Sequence, residues 1–377
     1  MRIAYICYVS AFVRDGVNDK IATQITWWKR GGHDVRLLCL SRAPGPRAAR
    51  PMLPGQIFTF RTAGGRVRAT LALARTARRL APDIVYLRYD RFIPPLPPLL
   101  RPVPVAVEIN TDDRLEFALY GRAGWLYNEL NREATLRAAA GLVCTAHELA
   151  NSNTFSRYGK PTVVIGNGGD PEAISAVPPA DNSRPEAVML IGATPLGTWV
   201  GADKAVALAR ALPELTVHLV GVDSADALGP IPGGASGLPP NICLHAALPR
   251  SEYRRILARA DFGIGPLAMH RKGRSEDSSL KLREYLLHGL PVLMAHEDTD
   301  FLGEEPWFLL RLPNREDNVG PSLPAIRAWA ASIRGRRVPR DAVVARLSSE
   351  GKESARLAFL SRLASGVEST SGALPSR

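Results

Sequence analysis

The sequence lacks the features that define several common protein classes. Its 377 residues contain four cysteines, at positions 7, 39, 144 and 243, and no two of them form a CxxC pair. This spacing argues against a disulfide framework and a zinc site, and it favours buried free thiols in a reducing cytoplasm. No uninterrupted apolar run approaches the roughly 20 residues that a membrane-spanning helix needs. The apolar start of the chain is not followed by a small-residue cleavage site, so we interpret it as a first strand and not as a signal peptide.

Short catalytic and nucleic-acid-binding motifs are also missing. No GxSxG, P-loop or strict GxGxxG motif occurs, which weighs against hydrolases, NTPases and classical dehydrogenases. The seven histidines show no HxxxH or HxH spacing, so we expect packing or surface roles for them and no metal site. Nothing in the sequence is typical of a helix-turn-helix, a zinc finger or an RNP motif, and we therefore expect no nucleic-acid partner.

Positive charge is concentrated in the first part of the chain. The formal net charge is +12, and residues 1–101 contain 18 Lys and Arg against 5 Asp and Glu, whereas residues 171–377 contain 24 against 23. A basic domain favours an anionic membrane surface or an anionic substrate. Together with Trp27-Trp28 and the Pro-rich stretch at 92–104, the charge predicts docking on an anionic membrane. A generic basic surface is the alternative.

Strand and helix patterns alternate along the chain. RIAYICYV (2–9) is a continuous apolar run, as in a parallel strand covered on both faces, and a helix follows it. After a Pro- and Gly-containing linker the alternation restarts with AVMLIGA (187–193). The pattern predicts an α/β chain with two Rossmann-like, doubly wound parallel-sheet domains that face a cleft, where such folds bind ligands. The predicted division is 1–170, 171–340, a C-terminal helical segment at 341–366, and a disordered tail at 367–377.

The segment MHRKGRSEDSSLKLREYLLHGLPVL (269–293) contains the most chemistry. Ser278 or Ser279 is a suitable N-cap and His288-Gly289 a suitable end, so a helix of about ten residues is predicted. The backbone N–H groups and positive end of such a helix can hold a diphosphate, and Lys281 adds a charge in its first turn.

Two carboxylates flank this helix start. Glu276 precedes the helix and Glu284 lies within it, seven residues apart in the intervening sequence. Carboxylates on either side of a diphosphate can accept hydrogen bonds from a sugar and from a ribose. Solvated charges on a loop and on a helix face are the alternative interpretation.

The run from Ser278 to Tyr285 resembles the Ser-Pro-Leu-Lys-Leu-Phe-Glu-Tyr sequence in the Glu-x7-Glu region of family 4 retaining glycosyltransferases, which have the GT-B fold. Other segments resemble the same family in the same order. DGVNDKIATQITWWKRGGHDVRLL (15–38) is similar to its N-terminal Gly-Gly-loop helix and following strand. VVIGNGGD (163–170) is similar to the Pro-Asn-Gly-Val-Asp start of its second domain, and NICLHAALPRSEYRRILARADFGIGP (241–266) to the segment before its donor loop.

The resemblance implies roles for individual residues. Glu276 would bind hydroxyls of the donor sugar and Glu284 the nucleotide ribose, while the amides near Ser279 and Leu280 would face the pyrophosphate. Gly16, in the first loop, would let the backbone approach the donor. Members of the family retain the anomeric configuration and need neither a divalent metal nor another cofactor.

Two loops depart from the family pattern. Many members have an Arg and a Lys after the first strand of the second domain, and both contact the diphosphate, whereas Ala193 and Val200 stand there in this chain. Lys204, Arg271 and Lys272 are the candidate substitutes. The same loop carries Trp199-x-Gly201-x-Asp203, which resembles a variant found in part of the family.

The second departure lies in the first domain. Many members have a His after the fourth strand, where this chain has Asn110, which we expect to bind the donor sugar or the acceptor. Glu108 is expected to brace the loop, and turn formation by Asn-Thr-Asp-Asp (110–113) is the alternative.

The sequence therefore predicts a retaining glycosyltransferase that moves a sugar from a nucleoside-diphosphate sugar to a glycan or lipid-linked acceptor. We expect it in the cytoplasm, at the inner face of the plasma membrane. Three alternatives remain open: a degenerate member that binds a nucleotide sugar or a partner without transfer, a sugar-nucleotide epimerase on the same fold, and a two-domain solute-binding protein, which would need an export signal.

Overall fold

The computed structural model describes residues 1–13, 15–45, 50–118, 121–192, 198–228 and 237–366, without the side chains of 116–118 and 121–124. Ala193 and the predicted tail at 367–377 lie outside these residues. The chain divides into two compact units, Met1–Gly166 with Glu350–Arg377, and Asn167–Ser349. The predicted boundary at 170 thus lies close to the observed one at 166.

The first unit contains a parallel sheet, seven-stranded in its described part, with the order β3-β2-β1-β4-β5-β6-β7. Its strands are β1 (Arg2–Tyr8), β2 (Asp34–Arg42), β3 (Gln56–Phe60), β4 (Ile84–Arg88), β5 (Val105–Ile109), β6 (Gly141–Cys144) and β7 (Thr162–Val164). The strand order changes direction between the adjacent strands β1 and β4, and doubly wound folds form a ligand crevice at such a point.

Helices cover both faces of this sheet. They are α1 (Gly16–Arg30), α2 (Ala63–Arg79), α3 (Leu96–Leu99), α4 (Asp113–Ala118), α5 (Gly121–Ala138), α6 (His147–Asn151) and α7 (Asn153–Ser156). Asp15 caps α1 by accepting a hydrogen bond from the Asn18 amide, and Thr62 caps α2 in the same way through the Gly65 amide. Both caps supply an acceptor to amides that have none within the helix.

The second unit repeats the architecture with a parallel sheet of order β10-β9-β8-β11-β13-β15 in its described part, and a small sheet of β12 and β14. Its strands are β8 (Glu186–Leu190), β9 (Thr216–Val220), β10 (Ile242–His245), β11 (Phe262–Ile264), β12 (Glu276–Asp277), β13 (Val292–Met294), β14 (Glu297–Asp298) and β15 (Leu309–Arg311). Its helices are α8 (Ala202–Ala211), α9 (Arg250–Arg259), α10 (Leu280–His288), α11 (Leu323–Ser332) and α12 (Arg340–Leu347). Two parallel, helix-covered sheets confirm the predicted α/β class.

The predicted C-terminal helical segment consists of two helices that belong to different units. α12 packs in the core of the second unit through Val343 and Leu347. The last helix, α13 (Ser349–Ala364), places Phe359 and Leu360 in the core of the first unit. Its Glu353 accepts a hydrogen bond from the buried indole of Trp28 at 2.7 Å.

The described residues include no helix that is long and apolar enough to cross a membrane. All four cysteines are free, and three of them are buried. The free thiols agree with the sequence-based expectation.

Candidate functional site

α10 begins where the sequence predicts it. Ser279 is the N-cap residue with extended backbone, and Gly289 ends the helix in the left-handed conformation at φ +89°. The Ser279 side chain makes no capping hydrogen bond. The first-turn amides of α10 therefore lack the acceptor that an N-cap side chain normally provides, and they are available to an anion.

Lys281, in the first turn of α10, is half-buried. Within the described part of the chain, its ammonium group has neither a hydrogen bond nor an ion pair. Burial lowers the pKa of Lys281 to about 8, and the charge of Asp277 offsets this only in part. An ammonium group that is half-buried and unpaired is costly unless an anion joins it.

The helix start is fixed in place by residues that the sequence did not identify. Asn167 donates its amide to Ser278 Oγ at 2.6 Å. Arg283, buried one turn into α10, donates from Nε to the Asn167 carbonyl at 2.9 Å and forms ion pairs with Asp298 and Asp300. Arg283 stands where the family has Phe, so the resemblance gave no signal for this anchor.

Glu276 lies on β12, immediately before the helix start. It is buried, and β12 pairs in parallel with β14, with Glu276 opposite Glu297. Arg274 donates to the Glu276 carbonyl at 2.7 Å. The short strand pairing thus fixes the backbone of Glu276 and Asp277 directly before the start of α10.

Glu284 lies further along α10 and has three partners. Arg250 donates from Nε to Oε1 at 3.0 Å and from Nη2 to Oε2 at 3.1 Å. Tyr253 donates to Oε1 at 2.7 Å, and His288 Nε2 lies 3.2 Å from the same oxygen. Burial alone would raise the pKa of Glu284, but the contacts with His288 and Arg250 lower it. The carboxylate is therefore held charged and in one orientation.

Lys204 has no free donor in this structure. It is buried on α8, and its ammonium donates to the carbonyls of Arg315 and Glu316, each at 2.7 Å, and to Asn318 Oδ1 at 3.1 Å. Three acceptors use all three N–H groups. The predicted role of Lys204 as a phosphate ligand receives no support from this geometry, because the side chain braces the loop at 315–318.

Arg271 is also engaged within the second unit. Its guanidinium donates to both oxygens of Asp203, at 2.9 and 2.7 Å, to Glu316 and to the Thr198 carbonyl. These bonds use all five N–H groups. As for Lys204, the predicted role of Arg271 as a phosphate ligand receives no support from this geometry, because none of its N–H groups is left for a phosphate.

The Trp-x-Gly-x-Asp motif holds the basic loop at Met269–Lys272. Trp199 stacks under Lys272, whose ammonium lies 4.5 Å from the ring centroid. Gly201 adopts φ +78°, and an added side chain would collide with Leu267. Since Asp203 binds Arg271, all three motif residues contact the segment at 267–272, which explains the motif as a brace for that loop.

In the first unit, Asn110 belongs to a charged cluster. Its Oδ1 accepts from Lys20 at 3.1 Å and from Arg88 at 3.0 Å, and its Nδ2 donates to Glu108 at 3.2 Å. Glu108 is fully buried and bonds Lys20 at 2.8 Å and Arg88 at 3.2 Å. Burial would raise the pKa of Glu108, yet these two cations lower it well below its usual range. Lys20 and Arg88 were not identified from the sequence, because they lie on α1 and β4, far from Glu108 along the chain.

Two other sequence-based assignments fall in the first unit. Gly16 is exposed at the first position of α1, and its predicted approach to the donor stays a prediction. Trp28 is completely buried and Trp27 half-buried under Arg30. The prediction that Trp28 takes part in docking on a membrane is therefore wrong, since its indole lies in the core of the first unit.

Residues 15–168 match a family described as glycosyl transferase 4-like domain. Several solved structures share the fold over nearly the whole chain. HepE from Anabaena, in complex with UDP and glucose, is 16% identical with a TM-score of 0.64, and the match covers 95% of this chain and 99% of HepE. The lipopolysaccharide outer core galactosyltransferase WaaB, in its apo form, is 11% identical with a TM-score of 0.63, covering 96% and 100%.

A third similar structure is the trehalose-6-phosphate synthase OtsA. It is 14% identical with a TM-score of 0.60, and the match covers 96% of this chain and 99% of that one. No curated protein sequence matches this chain.

Proposed function

We propose that this chain, whose residues 15–168 match the glycosyl transferase 4-like domain and which has the GT-B fold, is a family 4 glycosyltransferase that retains anomeric configuration and uses a nucleoside-diphosphate sugar as donor. The observation that carries the proposal is the ammonium of Lys281, which has no partner among the described residues, in the same helix turn as amides that the Ser279 side chain does not cap. An anion bound there would satisfy both features at once.

The donor diphosphate lies, in this proposal, against the amides near Ser279 and Leu280 and against Lys281. Departure of the nucleoside diphosphate from the sugar leaves negative charge on the β-phosphate oxygen. Lys281 and the helix start stabilise that charge, which lowers the barrier to breaking the glycosidic bond. The side chain of Lys272 supplies further positive charge from the braced loop.

The two carboxylates bind the two ends of the donor. Glu276 accepts hydrogen bonds from the transferred sugar, and Glu284 accepts them from the ribose. Arg250 and Tyr253 hold Glu284 charged and oriented. Three partners already engage Oε1, so the ribose hydrogen bonds fall to Oε2, which has only Arg250 as partner in the described part of the chain and is preorganised as an acceptor. Attack by the acceptor on the face that the diphosphate leaves, with a diphosphate oxygen as base, gives retention of configuration.

We propose that transfer needs no divalent metal, since the cationic residues and the helix start supply the positive charge. Retained turnover in EDTA supports this, and turnover that returns only with added Mg²⁺ or Mn²⁺ contradicts it.

A turnover assay tests the function. Sugar nucleotides of uridine, guanosine and adenosine are incubated with the enzyme and a bacterial membrane extract, and release of nucleoside diphosphate is measured. Wild type should release nucleoside diphosphate from the sugar nucleotides of one base only. Glu276→Gln should release it at least 100-fold more slowly. The control Glu252→Gln, which changes an exposed carboxylate on α9, should match wild type. NMR of the product then gives the anomeric configuration.

One observation favours the alternative of a degenerate member that binds a nucleotide sugar without transferring the sugar. Lys204 and Arg271 donate all their N–H groups to acceptors within the second unit. Binding of a nucleoside diphosphate without release from any sugar nucleotide would establish this alternative.

We also propose that the acceptor side contacts an anionic membrane through exposed apolar side chains on α5. Trp125, Leu126 and Leu130 are 44%, 57% and 68% exposed, in a region where residues 1–166 contain 24 Lys and Arg against 12 Asp and Glu. Apolar residues on a basic surface fit the interface of an anionic bilayer. The three free buried cysteines fit action in the cytoplasm.

Liposome sedimentation tests this contact. Vesicles with anionic phospholipid should pull down wild type and the control Leu302→Asp, which changes an exposed leucine of the second unit. The double variant Leu126→Asp/Leu130→Asp should lose most of the binding. Equal sedimentation of all three, or none with any vesicle, contradicts the contact.

A further inference from the structure

The charged cluster of the first unit lies where its sheet forms a ligand crevice. Arg88 is the last residue of β4, Asn110 follows β5, and Lys20 lies on the helix that follows β1. β4 lies between β1 and β5 in the sheet. The three side chains thus meet at the carboxyl ends of adjacent strands, next to the point where the strand order reverses.

The cluster has more positive than negative charge. The charges that act on Glu108 come from Lys20, Arg88 and Arg356, and Arg356 is paired with Glu353. Three cations therefore face two carboxylates in a largely buried site. Burial lowers the pKa of Lys20 to about 8; Glu108 opposes this shift, while Arg88 and Arg356 add to it.

Part of Arg88 is unused. Only Nη1 donates, to Glu108 and Asn110, while Nε and Nη2 have no hydrogen-bond partner in the described residues. The side chain keeps 16% of its surface exposed. The buried hydroxyl oxygen of Thr111, which follows Asn110 in the sequence, also has no hydrogen-bond partner among the described residues. Nε and Nη2 form the edge of a guanidinium that binds two oxygens of a phosphate or carboxylate.

We infer that Lys20, Arg88 and Asn110 form a binding site for an oxyanion carried by the acceptor, so that the acceptor of this enzyme is a phosphorylated or carboxylated molecule. The inference rests on the proposed function, because it assigns the anion to the acceptor and the start of α10 to the donor. An oxyanion on the free edge of Arg88 neutralises the excess charge and satisfies the unused donors. Glu108 serves as the fixed counter-charge that positions Lys20 and Arg88.

The test is isothermal titration of the full chain with inorganic pyrophosphate in metal-free buffer at low salt, repeated with glucuronate as a carboxylate probe. Four variants are compared with wild type: Arg88→Met, Asn110→Asp, Lys281→Met and the control Arg75→Met, which removes an exposed charge from α2. Asn110→Asp adds a carboxylate next to Lys20 and Arg88, which cancels the excess charge while Glu108 keeps both cations. Because it also replaces the Nδ2 donor to Glu108 with an oxygen, the thermal unfolding of each variant is measured alongside.

Wild type and Arg75→Met should bind two pyrophosphates. Arg88→Met and Asn110→Asp should each weaken one binding event at least tenfold, and Lys281→Met should weaken the other. An Arg88-dependent event with glucuronate alone also supports the inference and makes the acceptor a carboxylate. If Arg88→Met and Asn110→Asp bind both probes as wild type does, the inference is overturned, because that is the result expected of a cluster with a purely structural role. If wild type binds a single pyrophosphate and that binding depends on Arg88 but not on Lys281, the inference stands and the donor site at the start of α10 is refuted.

Discussion

Arg250 and Glu284 meet through two parallel hydrogen bonds, Nε to Oε1 at 3.0 Å and Nη2 to Oε2 at 3.1 Å. They lie on α9 and α10, so the pair joins two helices of the second unit. A bidentate guanidinium–carboxylate pair fixes both the position and the plane of the carboxylate. The orientation of Glu284 toward a ribose therefore depends on Arg250.

Substitution of Arg250 by Gln should impair donor binding more than catalysis. Loss of the bidentate contact leaves Glu284 with Tyr253 and His288, and the second unit should lose about 1–3 kcal/mol of stability. We expect the KM for the sugar nucleotide to rise about tenfold with a smaller change in kcat, since ribose binding stabilises ground and transition states alike. Steady-state kinetics and thermal unfolding measure both effects. Arg255→Gln, an exposed control on α9, should leave KM unchanged, and an unchanged KM in Arg250→Gln argues against the orienting role.

Donor affinity should decrease as pH rises from 7 to 9. The pKa of Lys281 is lowered to about 8 in the free protein, so the ammonium loses its proton in this range, whereas a bound diphosphate keeps it protonated. The complex therefore binds more protons than the free protein, and affinity must fall with pH, by up to about tenfold per unit above pH 8. Titration calorimetry with a sugar nucleotide measures the slope. In Lys281→Met the slope should vanish; an identical slope in both proteins would falsify the assignment.

The same shift in pKa affects stability in a definite direction. Because the pKa of Lys281 is lower in the folded chain than the unfolded value of about 10.4, the ammonium form destabilises the fold. Its contribution disappears as pH rises from 8 through 10.4. Lys281→Met should therefore be at least as stable as wild type at pH 7, as thermal unfolding without ligand would show.

Lys204→Met should be less stable than wild type but should keep its affinity for the donor, whereas Lys281→Met should keep its stability and lose donor affinity. Removal of a buried ammonium with three acceptors leaves two carbonyls and the Asn318 amide oxygen unsatisfied, at a cost of about 2–4 kcal/mol. Near-saturating sugar nucleotide should still bind to the fraction that remains folded. Chemical denaturation and calorimetry on the same preparation separate the two. A stable Lys204→Met variant that no longer binds the donor would restore Lys204 as a phosphate ligand.

Two tryptophans of the first unit should respond differently to truncation. Trp28→Ala creates a cavity and leaves Glu353 without its indole donor, so about 3–5 kcal/mol of stability should be lost. Trp125→Ala, at an exposed position, should cost less than about 0.5 kcal/mol and should weaken vesicle binding. Urea denaturation and liposome sedimentation test the pair. Equal stability of the two variants contradicts the assignment of Trp28 to the core.

The sequence predicts most accurately the helix ends and the alternation of strand and helix, because residues close together in the chain determine these features. The bounds of α10 follow from Ser279, Gly289 and Pro291, which act within a few residues of the helix ends. The alternation of strand and helix likewise predicts two parallel sheets, and both are observed.

The partners of charged side chains are not local, and the sequence gives little information about them. Lys204 bonds residues more than a hundred positions away, and Lys20 meets Glu108 across 88 positions. A basic residue beside a glycine-containing loop is equally typical of a phosphate ligand and of a loop brace. Only the packed structure distinguishes Lys281, which has no partner in the described part of the chain, from Lys204 and Arg271, whose N–H donors are all in use.

The donor site at the start of α10 is tested most directly by calorimetric titration of wild type and Lys281→Met with UDP, GDP and ADP in metal-free buffer. One nucleoside diphosphate should bind wild type, and its affinity should fall about 10- to 100-fold in Lys281→Met, with the unfolding temperature of the free variant unchanged or raised. Equal affinity for the two proteins would show that the donor diphosphate does not bind at the start of α10.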